Sequence, residues 1–302
     1  MLDFSDVRTY PLEERESLVS LSDLLRPEDS RVSWTHEDLD RLCAIISRAA
    51  RDGSGVLWQM GAHVVKCGLS PLVIDLMERG FITHLAMNGA TAIHDLELAM
   101  AGKTSESVAD GIGDGTFGMV EETGRFINET INATSLGFGD ALGRRALEEG
   151  LPHSDICLLA QAVELEVPVT VHVAIGTDIV HQHPTFDGAA TGAAAHRDFR
   201  RYTETVAGLS GGVVLNFGSA VLLPEVFLKA LSISRNLGRG VRPLYTASFD
   251  LRDDINDYFF RPRKNVVKRP TAAGGEGFNF SVRHEDSIPS IHRRLLQMSA
   301  EG

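Results

Sequence analysis

The stretch VLWQMGAHVV, residues 56–65, sets the pattern for the whole chain. Five residues suited to a buried strand are followed by the small residues Gly61 and Ala62, and a helical pattern begins near Ser70. A short apolar run, a tight turn and a helix make the first half of a βαβ unit. The alternation recurs, with further strands predicted over residues 82–87, 167–173, 212–217 and 243–248. The expected fold class is α/β, a Rossmann-like parallel sheet with helices on both faces.

Helical spacing of apolar residues predicts the segments around these strands. One helix is expected to begin after Ser33 or Thr35, because Thr35-His36-Glu37-Asp38 resembles a capping box. The glycine-rich residues 274–277 are predicted to form a flexible turn. No repeat or linker interrupts the pattern, so we expect a single domain, 1–302, with a polar N-terminal arm, 1–32, and a C-terminal extension, 270–302. The other predicted helices cover residues 70–79, 91–101, 117–132, 139–149, 193–208, 224–236 and 287–298.

The amino-acid composition limits the classes of molecule that this protein is expected to bind. The formal net charge is -12, and the basic residues between Arg261 and Arg269 form one cluster rather than a face that follows phosphates, so nucleic acid is not expected. An acidic surface attracts cations such as polyamines, although acidity also serves solubility. Cys43, Cys67 and Cys157 lie far apart, which predicts neither disulfides nor a zinc cluster. No apolar run approaches the roughly 20 residues that span a bilayer, and we expect a cytoplasmic protein without a membrane partner.

The residues that follow each predicted strand are the candidates for a site, because ligands of open parallel sheets bind beyond the carboxyl ends of the strands. They are small or polar, which lets backbone N–H groups approach a nucleotide. Thr91 is placed to cap a helix whose N-terminus would favour a phosphate, although the complete G-x-G-x-x-G fingerprint is absent. The segments are 61–68, 88–95, 174–178, 218–220, and 249–250 with Asp253 and Asp254.

Two further patterns suggest chemistry of their own. Asp178, His181 and His183 lie close in sequence, and two histidines in H-x-H spacing bind a metal when they share one face of a strand. The competing interpretation is that these three are polar residues of a pocket, and no metal ligand is assigned.

Lys66 and Lys268 each follow two β-branched residues, and an amine that loses its proton beside an apolar wall becomes a nucleophile or forms an imine.

From about residue 55 to residue 268 these segments resemble, in the same order, those of the deoxyhypusine synthases. Residues 61–69 resemble the family's first cofactor loop, and Asn88-Gly89-Ala90 with Asp95-Leu96 resembles its T-T-A-G-G-x-E-E-D-L segment. Here Ile93-His94 replaces the family's acidic pair, and Asn216 replaces a histidine. The family's D-G-S turn, G-G-G-V-V run and F-D-G-S-D-S-G-A-R-P segment are similar to Gly176-Thr177, to Gly211-Gly212-Val213-Val214, and to Phe249-Asp250 through Arg261-Pro262.

The resemblance implies an NAD-dependent enzyme that abstracts a hydride from a polyamine or other small-molecule amine. Family members transfer the aminobutyl group, through an imine with a lysine, to a protein lysine, and they are tetramers. By resemblance Lys268 is the imine-forming residue, and His94, Asp95 and Asp178 hold the substrate or move protons. NAD is expected to lie across Gly61, His63, Asn88, Gly89, Gly176, Thr177, Gly211, Gly212 and Asn216.

Two other hypotheses remain open from the sequence. A metal-assisted hydrolase would use the Asp178, His181 and His183 cluster. A non-catalytic protein of the same fold would bind NAD and turn over no amine, as the replaced acidic pair at Ile93-His94 suggests. The sequence does not identify the substrate or a protein acceptor.

Overall fold

The computed structural model describes residues 3–252 and 260–301, and a parallel sheet forms its centre. The strands are β1 (Val19–Ser20), β2 (Val56–Met60), β3 (His84–Asn88), β4 (Lys103–Thr104), β5 (Val169–His172), β6 (Val213–Phe217), β7 (Leu244–Asp250) and β8 (Gly275–Ser281). Six of them form the sheet, in the order β5-β3-β2-β6-β7-β8, with every neighbouring pair parallel. Numbered along the chain this order is 3-2-1-4-5-6, that of dinucleotide-binding folds. The predicted α/β, Rossmann-like class is confirmed.

Helices cover both faces of the sheet. They are α1 (Leu39–Arg51), α2 (His63–Lys66), α3 (Ser70–Glu78), α4 (Gly89–Ala101), α5 (Val108–Asp114), α6 (Glu121–Ala133), α7 (Phe138–Glu148), α8 (Leu158–Glu164), α9 (Gly188–Ala207), α10 (Leu222–Asn236), α11 (Arg269–Thr271) and α12 (His284–Glu301). The segment Pro262–Lys268 is π-helical. Among the described helices, none is both long and apolar enough to cross a membrane.

The face covered by α1, α3, α8 and α12 is apolar, and a row of aromatic rings runs across it. Phe217 lies opposite Phe249, and Phe249 lies opposite Phe280, in the parallel register. The rings of Trp58 and Phe217 stack with centroids 4.0 Å apart, and those of Phe217 and Phe249 at 4.4 Å. Burial of each such side chain is worth roughly 1.5–3 kcal/mol, so this row joins four adjacent strands through one core.

The opposite face, covered by α9 and α10, is polar toward the carboxyl ends of the strands. Gln59, Asn216 and Ser248 are buried and occupy one register row across β2, β6 and β7. Gln59 Nε2 donates to Asn216 Oδ1 at 3.0 Å, and the Tyr202 hydroxyl donates to Gln59 Oε1 at 2.7 Å. Asn216 Nδ2 donates to the carbonyl oxygen of Ser219 at 3.2 Å. The buried amide of Asn216 therefore fixes the turn that follows β6.

The strand β8 is where the sequence prediction was wrong, since residues 274–277 were predicted to form a turn. Gly275, at φ +116°, and Gly277 belong to the strand. A Cβ at Gly275 would overlap the backbone of Leu244, and one at Gly277 would lie 2.7 Å from the carbonyl oxygen of Val267. Glycines have no side chain and so show no alternation of apolar and polar residues, which is why the sequence pattern did not indicate a strand here. The backbone of β8 packs so closely at these two positions that only glycine fits.

The observed helix boundaries differ from the predicted ones because of local hydrogen bonds. The helix α1 begins at Leu39 rather than after Ser33 or Thr35, because His36 Nδ1 accepts the N–H of Asp38 and the predicted capping box does not form. Asn88, not Thr91, caps α4, since Asn88 Oδ1 accepts the Thr91 N–H at 2.9 Å. The helices α5 and α8 were not predicted, and each has only seven residues.

The segment predicted as a polar arm, 1–32, contacts the body of the protein. Residues Val19–Ser20 pair with Lys103–Thr104, and Ser30 Oγ lies 3.0 Å from His292 Nδ1 of α12. Arg15 is buried. The division into one domain with an arm and an extension stays a prediction, but Arg15 places the arm beside the site described below.

The packing of α7 on β5 gives a stability test. A Cβ at Gly139 would overlap the carbonyl oxygen of Val169, so Gly139→Ala is expected to lower the free energy of unfolding by about 1–3 kcal/mol. The control is Gly192→Ala, an exposed helical position in α9 with nothing within 4 Å, which is expected to change it little or raise it by about 0.5–1 kcal/mol. Urea denaturation measures both. Equal effects would contradict the close packing.

Candidate functional site

The strand order reverses between β2 and β6, and a crevice bordered by small residues lies beyond their carboxyl ends. A Cβ at Gly61 would lie 3.2 Å from the carbonyl oxygen of Gly218, so the two turns approach closely. The helix α10 starts just after Gly218, and Ser219 Oγ accepts the N–H of Leu223. The first N–H groups of a helix have no intrahelical partner and favour an anion. This crevice is the place where doubly wound sheets bind a dinucleotide.

A second feature of the same edge is a cavity of about 220 Å³ at the start of α4, beyond the end of β3. Parts of α2, α4, α5 and the loop after β5 enclose it, together with Arg15 from the N-terminal segment. Drug-sized ligands occupy pockets of about 300–1,000 Å³, so this cavity suits a smaller molecule. Its charged and titratable lining consists of Arg15, Lys66, His94, Glu97, Glu106 and Asp178.

Glu97 is the centre of a buried hydrogen-bond network beside the cavity. Both nitrogens of the Arg15 fork donate to its carboxylate, at 2.8 and 2.9 Å. The hydroxyls of Thr104 and Thr123 donate to it as well, at 2.6 and 2.8 Å. Burial raises the pKa of Glu97, but the hydrogen bonds and charge of Arg15 outweigh it, and the pKa lies below its usual value. Glu97 is therefore ionised and fully partnered.

This network fixes the tautomer of His94. The Thr104 hydroxyl has one hydrogen and donates it to Glu97, so it accepts from His94 Nδ1, which lies 2.7 Å away. Nδ1 therefore carries the ring proton, and Nε2 is the acceptor nitrogen. Burial lowers the pKa of His94 to about 4, so the ring is neutral at pH 7. His94 thus brings a neutral hydrogen-bond acceptor to the wall of the cavity.

Asp178 lies in the loop after β5, against the start of α4. A Cβ at Gly89 would overlap its carboxylate, so glycine at that position admits the side chain. Asp178 Oδ2 is buried and has no hydrogen-bond partner among the residues that the structure describes. Burial raises the pKa of Asp178 to about 6. A buried carboxyl oxygen with unused acceptor capacity marks a binding position for a donor.

The imidazole of His181 lies beside the carboxylate of Asp178 without a hydrogen bond to it. Its Nδ1 accepts the backbone N–H groups of Gly176 and Asp178, both at 3.1 Å, so Nε2 carries the proton. His181 Nε2 is 3.9 Å from Asp178 Oδ2, too long for a hydrogen bond. His183 is committed elsewhere, since its Nε2 lies 2.7 Å from the carbonyl oxygen of Gly118. The structure therefore does not assemble the Asp178, His181 and His183 metal cluster.

The other predicted residues separate into groups. Gly61 and His63 lie at the crevice; Asn88, Gly89 and Gly176 lie at the same carboxyl edge, and Thr177 lines the cavity with His94 and Asp178. Gly211 and Gly212 precede β6, at the opposite edge of the sheet. Asn216 is inside the sheet, in the polar row. Asp253 and Asp254 fall outside the described residues.

Asp95 and Lys268 are not part of the cavity lining. Asp95 is a buried residue of α4, and its carboxylate accepts the N–H groups of Leu158 and Leu159 at 2.8 and 3.0 Å and so caps α8. Lys268 is exposed at the end of the π-helical segment, which leads toward the amino end of β8. The structure therefore does not bring Lys268 to His94 and Asp178.

Sequence reasoning missed Arg15, Glu97, Thr104 and Glu106. Arg15 gave no signal within a polar segment, but Glu97 did, because it interrupts the apolar face of a helix in which Leu96 and Leu98 are buried.

Sequence reasoning also missed a group of three possible metal ligands beside the crevice. One ligand atom each from His63, Cys67 and Glu285 lies within 4.8 Å of the others, and the i, i+4 spacing of His63 and Cys67 was its only local signal.

No family model and no curated protein sequence matches this chain. Similar solved structures exist at low identity. AgrE, in a ternary complex with ornithine and NAD+, is 14% identical with a TM-score of 0.58; the match covers 89% of this chain and 34% of AgrE, so the chain spans about a third of that protein. A candidate LOR/SDH protein from Methanococcus maripaludis S2 is 15% identical with a TM-score of 0.53, covering 91% of this chain and 74% of its own.

A third similar structure is a candidate deoxyhypusine synthase from Entamoeba histolytica. It is 11% identical with a TM-score of 0.50, and the match covers 86% of this chain and 87% of that protein. At these identities the similarity shows a shared fold. The resemblance seen in the sequence is thus a distant fold relation to a group of structures that includes a candidate deoxyhypusine synthase, the LOR/SDH protein and AgrE.

The tautomer of His94 can be measured by NMR of side-chain ¹⁵N nuclei. At pH 7 we expect Nδ1 protonated and Nε2 unprotonated, with titration near pH 4, where burial places the pKa. Thr104→Val removes the acceptor and should abolish this preference. Thr203→Val, a control in α9 whose hydroxyl bonds only its own helix, should leave the His94 signals unchanged. A protonated Nε2 in the unmodified protein would overturn the network.

Proposed function

We propose that this chain is an NAD-dependent enzyme that oxidises a small amine held in the cavity beside α4. The observation that carries the proposal is Asp178, a buried carboxyl group at the carboxyl edge of a 3-2-1-4-5-6 sheet, one of whose oxygens has no partner among the described residues. That sheet order supports a dinucleotide, and the NAD+ and ornithine bound by AgrE, which shares the fold, support the pairing of cofactor and amine.

The residues at the crevice fit NAD. Gly218 and Ala220 are small and only partly buried, and the start of α10 offers N–H groups to a pyrophosphate. Asn88 ends β3, and its Oδ1 is occupied by the cap of α4, so its amide nitrogen would be the group that faces the cofactor. NAD would supply a hydride acceptor, and the chain would supply orientation and proton handling.

The cavity suits a cationic amine in both size and charge. A partner ammonium would satisfy Asp178 Oδ2, whose burial without a partner is costly. A cleft of about 640 Å³ shares Arg15 and Glu106 with the cavity and is also lined by Glu14, Glu16 and Asp110. Arg15 is neutralised by Glu97, and the other acidic side chains of the cavity and the cleft outnumber Lys66, so the surroundings of the ligand are acidic. This acidic approach favours a polyamine or another small amine over an anionic substrate.

Oxidation of a protonated amine removes a hydride from carbon and a proton from nitrogen, leaving an iminium ion that water can hydrolyse. Asp178 would hold the ammonium group and take up its proton, because a carboxyl group with a pKa of about 6 exchanges protons readily near neutral pH. His94 Nε2 would accept a second hydrogen of the same group and fix its orientation. The Glu97 network would hold the imidazole in the tautomer that allows this.

The deoxyhypusine synthase-like chemistry is a narrower version of this proposal. It adds an imine with a protein lysine and transfer of an aminoalkyl group. Lys268, the residue expected from the resemblance, is exposed at a distance from the cavity lining, whereas Lys66 lines it. We therefore base the proposal on amine oxidation, and borohydride trapping followed by peptide mapping would test each lysine.

Two other functions predict different outcomes of the same assays. A hydrolase that uses Asp178, His181 and His183 lacks support, because His183 is bonded to Gly118. A non-catalytic protein would bind NAD and show no turnover with any amine. The screen therefore uses primary amines, diamines, spermidine and amino acids, with NADH absorbance as the readout.

Cofactor binding can be tested at the start of α10. Ala220→Asp places a negative charge where the pyrophosphate is expected, and NADH affinity should fall about tenfold or more, or ~1.4 kcal/mol. Ala44→Asp, on the exposed side of α1, is the control and should bind NADH as the unmodified protein does. Fluorescence titration measures both. Unchanged affinity in Ala220→Asp would remove the crevice from the proposal.

The role of Asp178 predicts a pH dependence. Burial raises its pKa to about 6, so the carboxylate that binds an ammonium group is lost as the pH falls through 6. For a substrate found in the screen, kcat/KM should fall below that pH. Asp178→Asn should abolish this limb and lower kcat/KM about 10- to 100-fold, as expected for loss of a charged hydrogen bond worth roughly 1.5–3 kcal/mol.

The matched control is Asp187→Asn, in the same loop. Asparagine can still cap α9, as Asp187 does by accepting the N–H of Ala189 at 2.7 Å, so the pH profile should stay unchanged. A profile that Asp178→Asn leaves intact would show that another group binds the amine.

A further inference from the structure

We propose that His63, Cys67 and Glu285 form a binding site for Zn²⁺ or a similar transition-metal ion, at the mouth of the crevice between β2 and β6. Nothing in the amine chemistry above requires it, so the proposal stands apart from that function. It rests on the spatial convergence of three side chains of different chemistry from two separate parts of the chain.

The three side chains converge through local and long-range structure. His63 is the first residue of α2, and Cys67 directly follows that helix, so both side chains lie on one side of a single turn. Glu285 is the second residue of α12 and reaches the turn because α12 follows β8 at the same edge of the sheet. One ligand atom from each residue lies within 4.8 Å of the other two.

The donor set fits zinc. Imidazole nitrogen, thiolate sulfur and carboxylate oxygen are the three ligand types that Zn²⁺ takes in proteins. Tetrahedral coordination at zinc bond lengths puts ligand atoms about 3.3–3.8 Å apart, so the group needs to contract by about 1 Å. His63 is exposed, and Cys67 and Glu285 are half-buried, so an ion can enter and the side chains can adjust.

Arg283 bears on the proposal, since its Nη2 donates to Glu285 Oε1 at 2.9 Å. That bond lies at the surface. An exposed pair of this kind contributes little energy and is readily rearranged. The Arg283 guanidinium therefore competes with a metal ion only weakly. Glu285 also accepts a hydrogen bond from the Cys67 thiol, and a metal ion would replace the thiol proton between the two side chains.

A second observation comes from His284, the neighbour of Glu285. It is 6% exposed, and its Nδ1 has no hydrogen-bond partner in the part of the chain that the structure describes. Its ring centroid lies 6.0 Å from that of His63. Buried polar atoms are normally satisfied, and a metal ion or its bound water beside His63 would supply the missing partner.

The arrangement leaves a coordination position open. Three protein ligands with a fourth position for water or substrate are typical of catalytic zinc sites, whereas structural sites are closed by four protein ligands. The three ligands lie beside the crevice where NAD is proposed to bind. The ion would act there as a Lewis acid toward an oxygen or nitrogen atom of a bound molecule.

The experiment uses the full chain, stripped with a chelator under reducing, oxygen-free conditions and titrated with Co²⁺ as an optical probe for zinc. We expect one Co²⁺ per chain, with visible d–d bands and a near-ultraviolet thiolate-to-cobalt band, both removed by stoichiometric Zn²⁺. Cys67→Ala should remove the thiolate band, and Cys67→Ser tests the same point with nearly unchanged side-chain size. Cys43→Ala, in the buried face of α1, is the control and should retain it.

The histidine ligand is tested in the same way. His63→Ala should weaken Co²⁺ binding by at least the roughly 10- to 100-fold that even outer-shell changes cost, and His196→Ala, an exposed histidine of α9, should not. Circular dichroism shows that each variant is folded. Absence of stoichiometric Co²⁺, an unchanged thiolate band in Cys67→Ala, or equal weakening by both histidine variants would overturn the proposal. NADH affinity is measured separately, so failure of this site leaves the cofactor test intact.

Discussion

The buried ion pair of Arg15 and Glu97 is the interaction on which the candidate site depends. Arg15 comes from the N-terminal segment and Glu97 from α4, so the pair fastens the segment over the cavity. Removing one partner of a buried pair leaves an uncompensated charge and costs about 3–5 kcal/mol. Glu97 also receives the Thr104 hydroxyl, which orients His94. One electrostatic contact therefore closes the cavity and sets the protonation of its wall.

The two faces of the sheet have different roles, since one forms the apolar core and the other positions the candidate site. The aromatic row from Trp58 to Phe280 is apolar and buries its rings against α1, α3 and α12. The row of Gln59, Asn216 and Ser248 on the other face is satisfied by internal hydrogen bonds and by Tyr202. The hydrogen bonds of a satisfied polar layer fix the relative orientation of their partners, whereas the contacts of an apolar layer do not. It holds the turn at Ser219, and with it the start of α10, in a fixed position at the crevice.

The sequence predicted the parts of this fold that depend on local pattern. Five of the six sheet strands are rich in apolar and β-branched residues, and their ends fall within two residues of the predicted ends. The strand β8 was missed because Gly275 and Gly277 carry no side chain, although their lack of one is what lets β7 and the π-helical segment come close. His94 and Asp178, which were predicted from their positions after strands, line the same cavity. Arg15 was missed because 82 residues separate it from Glu97, and sequence spacing carries no signal for such a contact.

The direction of the strands explains why the residues predicted to bind NAD lie at opposite edges of the sheet. Gly211 and Gly212 precede β6, whereas Gly61, Asn88 and Gly176 follow β2, β3 and β5. In a parallel sheet, residues before and after strands cannot share a site unless a connection crosses the whole sheet. Small residues before a strand serve the turn itself, and a Cβ at Gly212 would lie 2.7 Å from the carbonyl oxygen of Gly55. A glycine pair that resembles a cofactor motif is here a packing requirement.

The short helix α2 connects the two halves of the carboxyl edge. His63, at its start, belongs to the group with Cys67 and Glu285 beside the crevice, whereas Lys66, at its end, lines the cavity with His94 and Asp178. Four residues form so short a helix that a shift of one end moves the other. A single turn of helix thus joins the crevice to the wall of the cavity.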